Sequence, residues 1–117
     1  MHTILIAANT FFAITSVAAA LLALFRPHLM IRTAQAGSGE RFYAQMYASR
    51  AVPAGIATAV APFCFNGSAV PLILCAAAAM QIGDAIIGWS RKEWTMVIAP
   101  MIAAAVHLTA AWQHSFF

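Results

Sequence analysis

The chain has 117 residues, of which 63% are hydrophobic and only 8% are charged. A soluble domain is typically about 45–50% apolar and about 25% charged, so this composition excludes a water-soluble globule. Intrinsic disorder requires the opposite composition, and a net charge of +3 is too small for a typical nucleic-acid binder. The composition therefore predicts an integral membrane protein whose main surroundings are the lipid bilayer.

Four apolar stretches follow one another along the chain, at about residues 3–25, 43–64, 71–89 and 94–113. Each is close to the roughly 20 residues that an α-helix needs to cross a hydrocarbon core of about 30 Å. Helices are expected because backbone groups in lipid must be hydrogen-bonded within their own segment. We predict an all-α fold, a four-helix bundle that forms a single domain over residues 1–117.

Two of the three connections are short, at residues 65–70 (FNGSAV) and 90–93. Short connections place consecutive helices side by side, so the second, third and fourth helices are expected to be antiparallel neighbours.

The basic residues outside the spans all fall on one side of the predicted membrane: Arg26, Arg32, Arg41, Arg91 and Lys92. Positive charge is enriched in cytoplasmic loops. This side is therefore expected to be cytoplasmic, with both termini on the non-cytoplasmic side of the cell inner membrane.

Small residues recur at helical spacing in the second and third helices, as Ala51, Gly55 and Ala59 and as Ala76–Ala79 followed by Gly83. Small residues allow helices to approach closely in lipid. We favour close packing inside one chain, and a homodimer interface is the alternative.

Two charges lie inside the predicted spans, Arg50 in the second and Asp84 in the third. At the helical rise, Arg50 lies about 10 Å and Asp84 about 8 Å from the cytoplasmic ends of their helices. Charges inside a membrane usually face the bundle interior and pair. We therefore predict an Arg50–Asp84 ion pair, with Tyr43 and Tyr47 on the same helix face as Arg50.

A second polar group is expected nearer the non-cytoplasmic side. His107 in the fourth helix and Asn9 in the first lie at comparable depth, and Gln81 lies near the midplane between the two groups. A polar path from Arg50 and Asp84 through Gln81 to His107 and Asn9 is one arrangement that these depths allow.

Three interpretations of these polar groups stay open. The first is structural, because such bonds fix helix register. The second is a buried acid–base site, in which Asp84, Arg50 and His107 are catalytic and Tyr43, Tyr47, Gln81 and Asn9 bind the substrate. The third is a path for protons or solutes.

The leading hypothesis is a small membrane protein that binds a lipophilic small molecule in a polar cavity, with Asp84-centred chemistry of the isomerase or cyclase type. The alternative is a small transporter or a non-catalytic accessory subunit, so the sequence does not decide whether the chain is an enzyme.

No cofactor or metal is expected. His107 has no second histidine at matching depth for a haem, and no Cys/His ligand spacing occurs. Cys64 and Cys75 are offset by about 6 Å along neighbouring helices, so we expect two buried thiols and no disulfide.

A few residues of the predicted helices complete the pattern: Ser49-Arg50 with Gly55, Gly83-Asp84 and His107. In these residues, in its length and in its four predicted spans, the chain resembles the DoxX-like group of small bacterial membrane proteins. The resemblance implies a four-helix fold and a role as an accessory subunit of a quinone- or thiol-linked redox system.

Overall fold

The computed structural model describes residues 1–26, 29 and 37–116. It contains four helices, α1 (His2–Phe25), α2 (Ser38–Cys64), α3 (Ala69–Ser90) and α4 (Thr95–Phe116). The prediction of an all-helical chain is therefore confirmed for the described residues. Arg32, which was used to predict the orientation, lies outside them.

The helix bounds lie close to the predicted spans, except that α2 begins at Ser38 and not near residue 43. Glu40 in its first turn is favourable because a negative charge opposes the positive end of the helix dipole. Between α2 and α3 the chain reverses at Gly67, whose φ of +93° suits a residue without a Cβ atom.

Three helices, α1, α3 and α4, are long and apolar enough to cross a membrane. α2 is not among them, and it carries three charged residues, Glu40, Arg41 and Arg50. Many large apolar side chains are exposed, among them Phe11, Ile86 and Trp112, whereas most of the buried residues are alanines. Large apolar groups outside and small groups inside are the arrangement expected of a bundle surrounded by lipid.

The helices associate as two close pairs, α1 with α2 and α3 with α4. α2 and α3 contact each other much less, so the expectation that they are close neighbours is only weakly met. Their short connection brings their ends together, but the packing of each helix is determined by where its small residues lie.

The predicted ridge of Ala51, Gly55 and Ala59 packs inside the chain, because all three residues are buried. A Cβ atom at Gly55 would clash with the Val17 side chain and lie 3.2 Å from the Ala13 carbonyl oxygen on α1. The small-residue spacing therefore stabilises the α1–α2 pair.

In the α3–α4 pair the close approach occurs at Gly88, where a Cβ atom would lie 2.6 Å from the Met96 carbonyl oxygen. Backbone cannot yield as a flexible side chain can, so this position requires glycine. At Gly83, which the sequence suggested, a Cβ atom would meet nothing within 4 Å.

The start of α1 and the end of α4 lie at one end of the bundle, which we call the terminal end. His2 on α1 shares a hydrogen bond with Gln113 on α4, with 3.3 Å between Nδ1 and Oε1. An apolar cluster of Ala61, Val70, Leu74, Ala110 and Ala111 also lies there, with Leu5 packed against it. This cluster joins all four helices. The 91–94 turn lies at the opposite end, where a second cluster of Ala20, Ala48 and Ala51 joins only α1 and α2.

Cys64 and Cys75 are both free, as expected, but both are exposed. The prediction that they are buried is therefore wrong. Their helices present these positions on the outer surface, where a thiol behaves as a small apolar group.

Candidate functional site

Asn9 lies at the centre of the described polar contacts and is fully buried. Its Nδ2 atom donates a hydrogen bond to the Thr58 carbonyl oxygen of α2 at 3.0 Å. Its Oδ1 atom lies 2.7 Å from Nδ1 of His107 on α4. One side chain of α1 is thus bonded to both of the helices beside it, and the predicted common depth of Asn9 and His107 is confirmed.

His107 is 1% exposed and uses one of its two ring nitrogens in the contact with Asn9. The other nitrogen, Nε2, is buried and has no hydrogen-bond partner in the chain. A buried polar atom without a partner costs about 1–3 kcal/mol, so such atoms are uncommon and call for a physical explanation.

Gln81 forms a second polar contact between the two helix pairs. Its Nε2 atom donates to the Ser16 hydroxyl oxygen of α1 at 2.7 Å. Ser16 in turn donates to the Phe12 carbonyl oxygen at 3.0 Å. Gln81 therefore bonds to α1 and is not bonded to His107 or Asn9.

A cavity of about 30 Å³ lies between the four helices. This is room for about two water molecules. Its polar lining comes from every helix: Ser16 on α1, Tyr47 and Thr58 on α2, Gln81 and Asp84 on α3, and His107 on α4. Alanine and glycine form most of the remaining wall, which leaves space beside the polar groups.

The predicted ion pair between Arg50 and Asp84 is not formed in the described structure. Asp84 is half-buried and lines the cavity, whereas Arg50 is exposed. The reason is that α2 faces α1 more than α3, so equal depth does not bring the two side chains into contact.

Tyr43 is also not part of the cavity. Its side chain is 70% exposed and its ring packs edge-on against the neighbouring Phe42, with 5.7 Å between ring centres. It lies near the start of α2, beyond the part of this helix that is buried against α1. Of the two tyrosines named from the sequence, only Tyr47 lines the cavity.

Ser16 and Thr58 also line the cavity, although neither was predicted from the sequence. Both hydroxyl groups donate to carbonyl oxygens four residues earlier in their own helices. Such local bonds are common for Ser and Thr in helices. A residue of this kind gives little signal in the sequence, although Ser16 lies seven residues after Asn9, on the same face of α1, and this spacing indicates a shared site.

The arrangement combines hydrogen-bonding groups and one carboxylate in a small hollow with apolar walls. It can hold a small polar group away from water, and Asp84 can exchange a proton with that group. Within the described ranges, no three His, Cys, Asp or Glu side chains are grouped so that they could hold a metal ion.

Comparisons with protein-family models, with curated proteins and with solved structures gave no match for this chain.

Replacing Asn9 with Leu is expected to lower the free energy of unfolding by about 1–3 kcal/mol, because it leaves Nδ1 of His107 buried without a partner. Unfolding of the full chain by SDS in mixed micelles measures this change. The matched control on α1 is Thr15→Val, which removes an exposed bond to the Phe11 carbonyl oxygen and should change stability by less than about 0.5 kcal/mol. Equal losses in the two variants would contradict a central role for Asn9.

Proposed function

We propose that the chain is a multi-pass inner-membrane protein in which all four helices cross the bilayer as an antiparallel bundle, with both termini on the non-cytoplasmic side. The first support is the packing of α2, whose residues 48–61 include most of its buried positions and run beside the apolar helix α1. Because Asn9 bonds to Thr58 and Ala20 packs with Ala48 and Ala51, α2 crosses wherever α1 crosses.

The second support is charge. The basic residues Arg26, Arg41, Arg91 and Lys92 lie at the end of the bundle opposite the termini, where helices α1 and α3 end and α2 begins. Positive charge on one side only is the distribution that sets orientation in inner membranes.

Labelling of single cysteines tests this topology. Because Cys64 and Cys75 are exposed, both are first replaced by Ala. A membrane-impermeant thiol reagent added to intact cells should then label Asn66→Cys, an exposed position in the α2–α3 turn, and should label Lys92→Cys only after the cells are opened. Labelling of Lys92→Cys in intact cells would contradict the orientation, and protection of Asn66→Cys would contradict a crossing by α2.

Within this bundle, the proposed function is to bind a lipophilic small molecule that places a polar group in the cavity. The observation that carries this proposal is the buried Nε2 atom of His107, which has no partner in the chain although its residue lines a polar cavity. A bound polar group would satisfy this atom. Because the volume is only about 30 Å³, the rest of the ligand extends into the apolar surface between the helices.

Filling the cavity should prevent binding. Ala77 lines it, so Ala77→Leu is expected to deplete a molecule that co-purifies with the wild-type chain by roughly tenfold, equivalent to about 1.4 kcal/mol of binding free energy. Ala76→Leu is the matched control, because Ala76 is the preceding residue and is exposed. The measurement is mass spectrometry of protein extracted together with its native lipids. Equal amounts of every lipophilic molecule in the two variants would contradict a ligand in this cavity.

The proposed chemistry is proton transfer by Asp84, of the kind that isomerases and cyclases use. The Asp84 carboxyl group adds its proton to one carbon of a double bond, which leaves a positive charge on the other carbon of that bond. The resulting carboxylate then removes a proton from the next carbon along, which is attached to the charged carbon. The double bond shifts and the carboxyl group is restored, so no further reactant is needed. A half-buried carboxylate in an apolar pocket is suited to this chemistry.

Asp84→Asn should abolish this exchange while leaving the fold intact, since Asn has the same shape but cannot carry the proton. The wild-type chain is incubated in deuterated water with its co-purified ligand, and carbon-bound deuterium is measured by mass spectrometry. We expect incorporation to fall at least about a hundredfold in Asp84→Asn and to be unchanged in the control Glu40→Gln, an exposed carboxylate at the start of α2. Incorporation at the wild-type rate in Asp84→Asn would contradict the chemistry, and binding without incorporation in the wild type would favour a transporter or an accessory subunit.

A further inference from the structure

The hydrogen bonds of Asn9 determine which ring nitrogen of His107 carries the proton. The Thr58 carbonyl oxygen can only accept a hydrogen bond, so the atom of Asn9 that lies 3.0 Å from it is the amide nitrogen. The amide oxygen of Asn9 therefore faces His107, 2.7 Å from Nδ1. Because this oxygen can only accept, Nδ1 of His107 must donate.

In a neutral imidazole one ring nitrogen carries the proton and the other is an acceptor. Since Nδ1 carries it, Nε2 has a free lone pair, and this atom is the one that is buried without a partner. His107, a residue of the cavity lining, therefore has an unsatisfied acceptor atom.

The hydrogen-bond donor and acceptor of Gln81 are assigned in the same way. The Ser16 hydroxyl group donates its only proton to the Phe12 carbonyl oxygen, so it must accept the bond from Nε2 of Gln81. The amide oxygen of Gln81 is then available as an acceptor. The Asp84 carboxyl group also has an acceptor oxygen in either protonation state, so three lining residues offer acceptors, while the Tyr47 hydroxyl group can donate or accept.

We infer that the polar group held in this cavity is the hydroxyl group of a lipophilic alcohol or phenol, and that it donates its hydrogen bond to Nε2 of His107. This inference rests on the proposed binding function and specifies its ligand class. A ketone, quinone or ether of the same shape presents only acceptors, so Nε2 would stay unsatisfied beside it. A volume of about 30 Å³ admits a hydroxyl group and its carbon atom and leaves the apolar remainder among the helices.

The first test needs no ligand. The full chain, labelled with ¹⁵N at its histidines and placed in lipid nanodiscs, is examined by solid-state NMR, in which the protonated and the bare nitrogen of an imidazole have clearly different shifts. We expect His107 to carry its proton on Nδ1 and to have a bare Nε2. A proton on Nε2 would overturn the inference while leaving the proposed binding function in place.

The second test compares para-octylphenol with its methyl ether, which has nearly the same shape and lacks the donor. Binding to the chain in nanodiscs is followed by the shift of Nε2 of His107 and corrected for partition into empty nanodiscs. We expect the phenol to bind about tenfold more tightly, because only the phenol satisfies the buried acceptor. Equal affinities overturn the inference alone, and absence of binding by either compound overturns both the inference and the proposed function.

Two variants show whether the preference comes from this hydrogen-bond chain. Asn9→Leu removes the acceptor that holds the proton on Nδ1, so the preference for the phenol should be reduced. His114→Gln is the matched control, because Nε2 of His114 is also buried without a partner but lines a separate hollow at the terminal end. Retention of the full preference in Asn9→Leu, or its loss in His114→Gln, would overturn the inference. If Asn9→Leu does not fold, the measurements on the wild type decide.

Discussion

The bundle depends on one buried amide, that of Asn9, because it is bonded to a helix in each of the two close pairs. Its nitrogen is bonded to Thr58 within the α1–α2 pair, and its oxygen is bonded to His107 of the α3–α4 pair. In lipid the hydrophobic effect does not drive helices together, so interhelical hydrogen bonds and close packing must do so. An amide can serve both neighbours because it has a donor and an acceptor on one rigid group.

Two kinds of contact therefore have different roles. Within each pair, alanine and glycine allow close backbone approach, as at Gly55 and Gly88. Between the pairs, an apolar cluster closes the terminal end, and the bonds of Asn9 and Gln81 follow farther along. The other apolar cluster joins α1 to α2 only. The cavity lies between the two pairs, where polar side chains from all four helices face each other and alanine and glycine leave space beside them.

Much of this arrangement can be predicted from the sequence, but only as positions along the helix axes. The position of a residue in an apolar stretch gives its depth, so Asn9 and His107 were correctly expected at one level. Depth does not give the rotation of a helix about its axis. Arg50 and Asp84 also share a level, yet Arg50 is exposed while Asp84 faces the cavity. Gly83 and Gly88 differ in the same way, because only Gly88 faces the neighbouring backbone.

Helix α2 shows why the rotation matters for function. It is the only one of the four helices that is not apolar enough by itself to count as a membrane span, yet it supplies Tyr47, Thr58 and three small residues to the cavity wall. The charged residues of α2, Glu40, Arg41 and Arg50, lower its hydropathy, and all three are exposed. The residues that α2 gives to the cavity are instead turned towards the other helices. The rotation of α2 about its axis thus separates its charged residues from its cavity-lining residues, and this separation allows a helix with weak membrane character to form one wall of the cavity.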